Sequence, residues 1–171
     1  LFAWHEVPEQ FQKNIMAEHV LLVEKREESV PDGWRRVLLG DVMDLKRGYD
    51  LPTSKRITGN IPVVSSGGIS GVHNAFKVKG PGIVTGRYGT IGSVYFIKDN
   101  FWPLNTTLYV KDCKGNDIYF LYYFLQKIDF MSCSDKAAVP GVNRNHLHFI
   151  SSIIPPLPEH RAIAHILGSL D

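Results

Sequence analysis

Between Ile61 and Asp112 the chain is a series of short apolar segments punctuated by glycine. "IPVVSS" (61–66), "AFKVKG" (75–80), "GIVTGRYG" (82–89), "IGSVYFIKD" (91–99) and "NTTLYVKD" (105–112) are rich in β-branched and aromatic residues. Each is too short for a stable helix and long enough for a strand. Closely spaced strands joined by such turns predict a curved, largely antiparallel sheet or a small barrel.

Helical patterns flank these strands, which makes the fold class α/β in the broad sense, closer to α+β. Residues 7–28 predict a helix, with Pro8 in its first turn and Phe11, Ile15 and Leu22 on one face. Pro31, Asp32 and Gly33 then break the pattern. "WRRVLLGDVMDLKRG" (34–48) reads as a strand followed by a turn or short helix. "DIYFLYYFLQKID" (117–129) predicts a helix capped by Asp117, with Phe120, Leu121, Phe124, Leu125 and Ile128 as its apolar face. Its rings, Tyr119, Tyr122 and Tyr123 included, read as core rather than as a base-stacking platform, because one helix cannot turn them all towards a ligand. A polar loop, "SCSDKAAVPGVNRNHL", and a strand, "FISSIIP", follow. After Pro158 a last helix places Ile163, Ile166, Leu167 and Leu170 at i, i+3, i+4 and i+7, a seam for a partner helix. The pattern reaches Asp171 without a stop signal, as the opening of a longer helix would.

With 171 residues, 44% of them hydrophobic, the chain can bury a substantial core. It contains no apolar run long enough for a membrane span, and "LFAWHEVPEQ" lacks the basic leader of a signal peptide. Cys113 and Cys133 stand alone without metal-ligand spacing, which fits reduced thiols in a cytoplasmic protein. Charge is distributed unevenly. Residues 1–30 hold three Lys or Arg against six Glu, whereas residues 51–98 hold no acid but carry Lys55, Arg56, Lys77, Lys79, Arg87 and Lys98. A stretch of this kind attracts a polyanion such as nucleic acid; the plain alternative is a solvated surface balanced by charges elsewhere in the fold.

Signals for catalysis are weak. Pro31-Asp32 and Asp44-Leu45-Lys46 can be spelled as a metal-nuclease motif, two carboxylates for Mg²⁺ and a lysine at the phosphate, but the match is loose: a turn explains Asp32, and Asp44 and Lys46 read as exposed positions. Gly86, Gly89 and Gly92 form G-x-x-G-x-x-G, which is neither a dinucleotide fingerprint nor a P-loop and suits tight turns or close approach. His146 and His148 have no nearby carboxylate in sequence to complete a metal set. No cofactor motif is present, and the chain reads as non-catalytic.

The ordered combination of "GWRRVLLGDVMDLKRGYD", "IPVVSSGGISGVHN", "GIVTGRYGTIGSVYFI", "FWPLNTTLYV" and "IIPPLPEHRAIAHILGSLD" closely resembles a target-recognition domain of the specificity subunit of type I restriction–modification systems. The likeness runs from about Trp34 to Asp171, and His160 replaces the glutamine usual in the "PLPEQ" motif. "LFAW" is similar to the end of a preceding helical region. The resemblance implies an N-terminal helical segment (1–30), a DNA-recognition domain (31–155) and the start of a spacer helix (156–171). It further implies one half of a split duplex DNA site as target, a second recognition domain in the same chain or by dimerisation, and separate modification and restriction subunits that carry the chemistry.

Within that expectation, "IPVVSSGGISGVHNAFKV" reads as a long loop that offers Ser65, Ser66, Gly67, His73 and Asn74 to base edges. Lys55, Arg56, Lys77 and Lys79 would hold phosphates. Arg87, Tyr88 and Thr90, with Lys136, Asn143 and Arg144 from the late polar loop, complete the candidate DNA contacts, although Asn143 suits a helix cap as well. Ile163, Ile166, Leu167 and Leu170 are the candidate partner contacts. A protein-interaction domain without DNA contact remains the alternative from another class.

Overall fold

The computed structural model describes residues 30–134 and 141–169. The chain divides into two compact units, Leu1–Asp32 and Gly33–Asp171, and the elements named here belong to the second. The helix expected over 7–28, together with Lys136 and Leu170, lies outside the described residues.

β1 (Arg35–Leu38) runs into a one-turn helix, α1 (Leu39–Val42), and on to β2 (Asp44–Arg47). Six strands follow: β3 (Ile61–Ser65), β4 (Gly68–His73), β5 (Gly82–Gly86), β6 (Val94–Ile97), β7 (Trp102–Pro103) and β8 (Thr107–Asp112). α2 (Ile118–Leu125), α3 (Arg144–His148), β9 (Ser151–Ile154) and α4 (Leu157–Gly168) complete the order. The strands form an antiparallel sheet β2-β8-β5-β6, a three-stranded sheet β4-β3-β7 and a pair β1-β9. β3 runs antiparallel to β4 but parallel to β7. Among the described residues the sheets stay open, which removes the small-barrel alternative: β3 pairs with β4 and β7 and leaves β2 and β6 as edges.

Burial on both faces holds the central sheet. β5 is buried along its whole length, and its alternation sends Ile83 and Val84 to opposite sides. Ile83 joins a core with Leu45, Leu108, Phe120, Leu121, Leu125, Leu147 and Ile154, drawn largely from the helices and the β1-β9 pair. Val84 packs with Val64, Ile97, Phe101 and Tyr109 beneath the β3 sheet. Each such aliphatic side chain contributes about 1.5–3 kcal/mol when fully buried.

Local signals act as their chemistry requires. Asp117 caps α2 by accepting from the N–H groups of Tyr119 (2.9 Å) and Phe120 (3.0 Å). Phe120, Leu121 and Leu125 are buried, while Tyr119 is exposed and stacks on Phe96. In the glycine motif, a Cβ on Gly86 would stand 1.8 Å from the Thr90 carbonyl oxygen, and Gly89 and Gly92 take φ of 74° and 79°. All three positions need glycine, for close approach or for left-handed backbone.

Three expectations change. The stretch from Ile61 to His73 is a β-hairpin rather than a long loop, because Val63 and Val64 both find buried partners. "AFKVKG" is not a strand; it contributes the isolated Val78–Phe101 bridge. The late polar loop contains α3, with Asn143 as the cap that accepts from the Asn145 N–H at 3.0 Å.

α4 packs along α2 and buries His160 and Ala164. The expected seam therefore splits. Ile163 packs against the chain's own core, Leu167 lines a cavity with Trp34, Phe120 and Phe124, and Ile166 faces outward at 60% exposure.

Candidate nucleic-acid interface

The β3–β4 turn and the β5–β6 connection meet at Ser66. The Ser65 hydroxyl donates to the Gly68 carbonyl (3.0 Å) and accepts from the Gly67 N–H (3.3 Å), so it shapes the turn. Tyr95 of β6 lies against Gly68 and donates its hydroxyl to the Ser66 carbonyl (3.4 Å). A Cβ built on Gly89 would stand 3.6 Å from Ser66 Oγ, so the hairpin tip and the segment Arg87–Thr90 share one surface. Gly67, Tyr88 and Thr90 are exposed there.

A third segment joins them. Val142 donates its N–H to the Arg87 carbonyl (3.0 Å), and Gly141 bridges Tyr88. No side chain fits at Gly141, where a Cβ would stand 2.3 Å from the Tyr88 ring. The Arg87 and Tyr88 N–H groups both donate to the Thr106 carbonyl, at 2.9 and 3.2 Å. Backbone bonds on both sides thus fix this dipeptide, and the Arg87 guanidinium lies over the Tyr88 ring at 4.4 Å. An arginine held in this way loses little freedom on meeting a planar acceptor.

Several expected contacts have partners within the fold. His73 is not at a loop tip: it ends β4, is 6% exposed, accepts the Ile57 N–H through Nδ1 (3.0 Å) and meets the Trp102 ring edge-on. Arg56 donates to the Ser70 carbonyl (3.0 Å) and braces β4. Arg144 donates to the Leu45 carbonyl (3.3 Å), and His148 Nε2 accepts the Leu45 N–H (3.1 Å) where the β2–β8 register shifts. Asn143 is the cap of α3. Lys55, Asn74, Lys77 and Lys79 are exposed.

One arrangement was not foreseen from the sequence, which offered Lys77 as a phosphate contact and Lys46 only in the nuclease spelling. Lys46 and Lys77 both lie over the Tyr49 ring, at 5.6 and 5.7 Å, and Lys77 also lies 4.9 Å from the Trp102 ring. The Tyr49 hydroxyl is 3.0 Å from that of Tyr109. The bond to Tyr109, reinforced by Lys46 and Lys77, holds the Tyr49 phenol below its ordinary pKa, and burial pushes Tyr109 above it. The signal was legible in "DLKRGYD", where Lys46 and Arg47 precede Tyr49.

The nuclease spelling gains no support. Asp44 pairs with Lys111 (3.6 Å) and lies 4.0 Å from His148, while Lys46 is turned to Tyr49. No group of three or more His, Cys, Asp or Glu is arranged for a metal among the described residues.

What remains is a polar, preorganised surface assembled from three separated segments, with the Arg87 guanidinium held on it. The family model "Type I restriction modification DNA specificity domain" matches residues 31–171. The chain belongs to this family. Solved structures share its fold. The S subunit of a type I restriction–modification system from M. genitalium is 20% identical with a TM-score of 0.70, covering 84% of this chain and 40% of that one. The HsdS subunit from Thermoanaerobacter tengcongensis is 18% identical with a TM-score of 0.65, covering 94% and 45%. A chain solved for complex assembly and conformational transition of the type I R-M system is 19% identical with a TM-score of 0.69, covering 95% and 45%. This specificity domain thus spans less than half the length of each solved chain. No curated protein matches it.

Proposed function

We propose that this specificity domain reads one half of a split site in duplex DNA and brings modification and restriction subunits to it without performing their chemistry. The observation that carries the reading is the joint surface of the hairpin tip, Arg87–Thr90 and Gly141–Val142, on a chain whose residues 51–98 contain no acid. Ser66, Gly67, Arg87, Tyr88 and Thr90 meet base edges. Arg87 has the fork to pair with guanine O6 and N7, and Ser66 can donate or accept. Lys55, Lys77 and Lys79 hold phosphates and set the register. Asn74 lies beyond the end of β4 and reads from the flank through its amide.

The second half-site belongs to another recognition domain, in the same longer chain or in a paired copy. Ile166, outward on α4, contributes to contact with a partner subunit. Selection from a randomised duplex library, followed by mobility shifts at several salt concentrations, tests the reading. A selected sequence bound with a steep salt dependence is expected. Absence of DNA binding at every salt concentration would favour a protein-interaction domain instead.

A further inference from the structure

We propose that Lys46 and Lys77, converging over Tyr49, form a clamp that holds one DNA backbone phosphate beside the reading surface; this rests on the DNA-recognition reading above. The two lysines come from different parts of the fold, Lys46 from β2 and Lys77 from the β4–β5 connection, yet lie at nearly the same distance from one ring. The two ammonium groups share one ring, so their separation is at most the sum of those two distances, and like charges held near each other favour an anion between them. Neither forms an ion pair with a carboxylate among the described residues. The neighbouring acid, Asp50, is engaged by Arg47 at 3.6 Å and by the Asn105 amide.

The platform beneath them is rigid. Tyr49 is held by the Tyr109 hydroxyl, by the edge-on contact with Trp102 and by its N–H donated to the Pro103 carbonyl (2.8 Å). The clamp also has a fixed relation to the reading surface. Tyr49 bridges Leu104, while the Thr106 carbonyl holds Arg87 and Tyr88. From residue 104 to residue 106 the backbone spans at most about 7 Å. The clamp and the Arg87–Tyr88 dipeptide are therefore anchored to one short backbone segment, which ties the phosphate contact to the reading surface. The clamp fixes register; it does not read sequence.

Salt dependence distinguishes one shared phosphate from two separate ones. Binding of random-sequence duplex to the full chain is measured against salt for K46A, K77A and the double variant, with thermal melting as the folding control. Each neutralised phosphate contributes a slope of about 0.9 in log K against log salt. A shared phosphate predicts a small change for either single variant, because the other lysine still holds it, and a loss of about 0.9 for the double. Two independent losses that sum to about 1.8 would overturn the clamp. So would an unchanged slope in a folded double variant that still binds DNA, a result that leaves the recognition reading intact. Saturable binding of inorganic phosphate alone at these lysines, with the DNA slope unmoved, would overturn it in favour of a free anion. A wild-type chain that binds no DNA would overturn both readings together.

Discussion

His148 accepts the backbone N–H of Leu45 through Nε2 at 3.1 Å. The bond lies where the register between β2 and β8 shifts, and Leu45 is fully buried. Without the imidazole its N–H would be left without a partner away from water. His148→Ala should lower stability by about 1–3 kcal/mol, the cost of an unsatisfied buried donor. Chemical denaturation measures it. An unchanged midpoint would mean that water or a neighbouring group satisfies Leu45 without cost.

Acid should destabilise the fold through two histidines. Burial holds His148 and His160 below the ordinary value of 6.5. His160 is 1% exposed and stacked flat on Phe120, with ring centroids 3.9 Å apart. The unfolded chain therefore takes up protons that the folded chain refuses. Stability is complete above the unfolded value, falls as pH drops through it, and stops falling below the depressed folded values. Each histidine steepens that fall by at most about 1.4 kcal/mol per pH unit. His160→Gln should remove one contribution and flatten the acid limb. Melting temperatures taken from pH 8 to pH 5 (roughly the range in which histidine titrates) provide the check, and parallel curves for variant and parent would refute it.

Gly141 should matter to DNA binding although it offers no side chain. Gly141→Ala places a methyl group inside the Tyr88 ring position and must displace Tyr88, and with it the guanidinium stacked above. Arg87→Ala should cost about 1–3 kcal/mol on the selected site. If Gly141→Ala folds and binds the selected site like wild type, the stacking does not preorganise Arg87.

Phosphate holders and base readers should separate experimentally. Lys55→Ala or Lys79→Ala should weaken every duplex to a similar degree and reduce the salt slope by about 0.9. Ser66→Ala and Asn74→Ala should lower affinity for the selected site and leave random DNA nearly unaffected. Mobility shifts on both duplexes make the comparison. Lysine variants that change sequence preference would reverse the assignment.

The two isoleucines of α4 should behave differently. Ile163 packs against the core and Ile166 is 60% exposed. Ile163→Ser should lower the melting temperature, whereas Ile166→Ser should leave it unchanged and weaken assembly with a partner subunit. Calorimetry and sedimentation velocity read the two effects. Equal melting temperatures for both variants would contradict the packing of α4.

Short-range chemistry was legible in the sequence. Asp117 before an apolar helix, β-branched runs between glycines and prolines ahead of the last helix each fix backbone within a few residues. They determined α2, most strands and α4, and the ordered motifs determined the family. Tertiary structure decided what the polar residues do. His73, Arg56 and Arg144 look like ligand-binding groups in one dimension, yet each satisfies backbone belonging to a distant or neighbouring segment. Where those unpaired N–H and C=O groups fall depends on register shifts and sheet boundaries, which arise only when separated strands pair. The same pairing drew the hairpin tip, Arg87–Thr90 and Gly141 onto one surface and turned Lys46 and Lys77 to one tyrosine. Sequence sets local conformation because its causes act over a few residues; a composite surface depends on long-range contacts that only the folded chain contains.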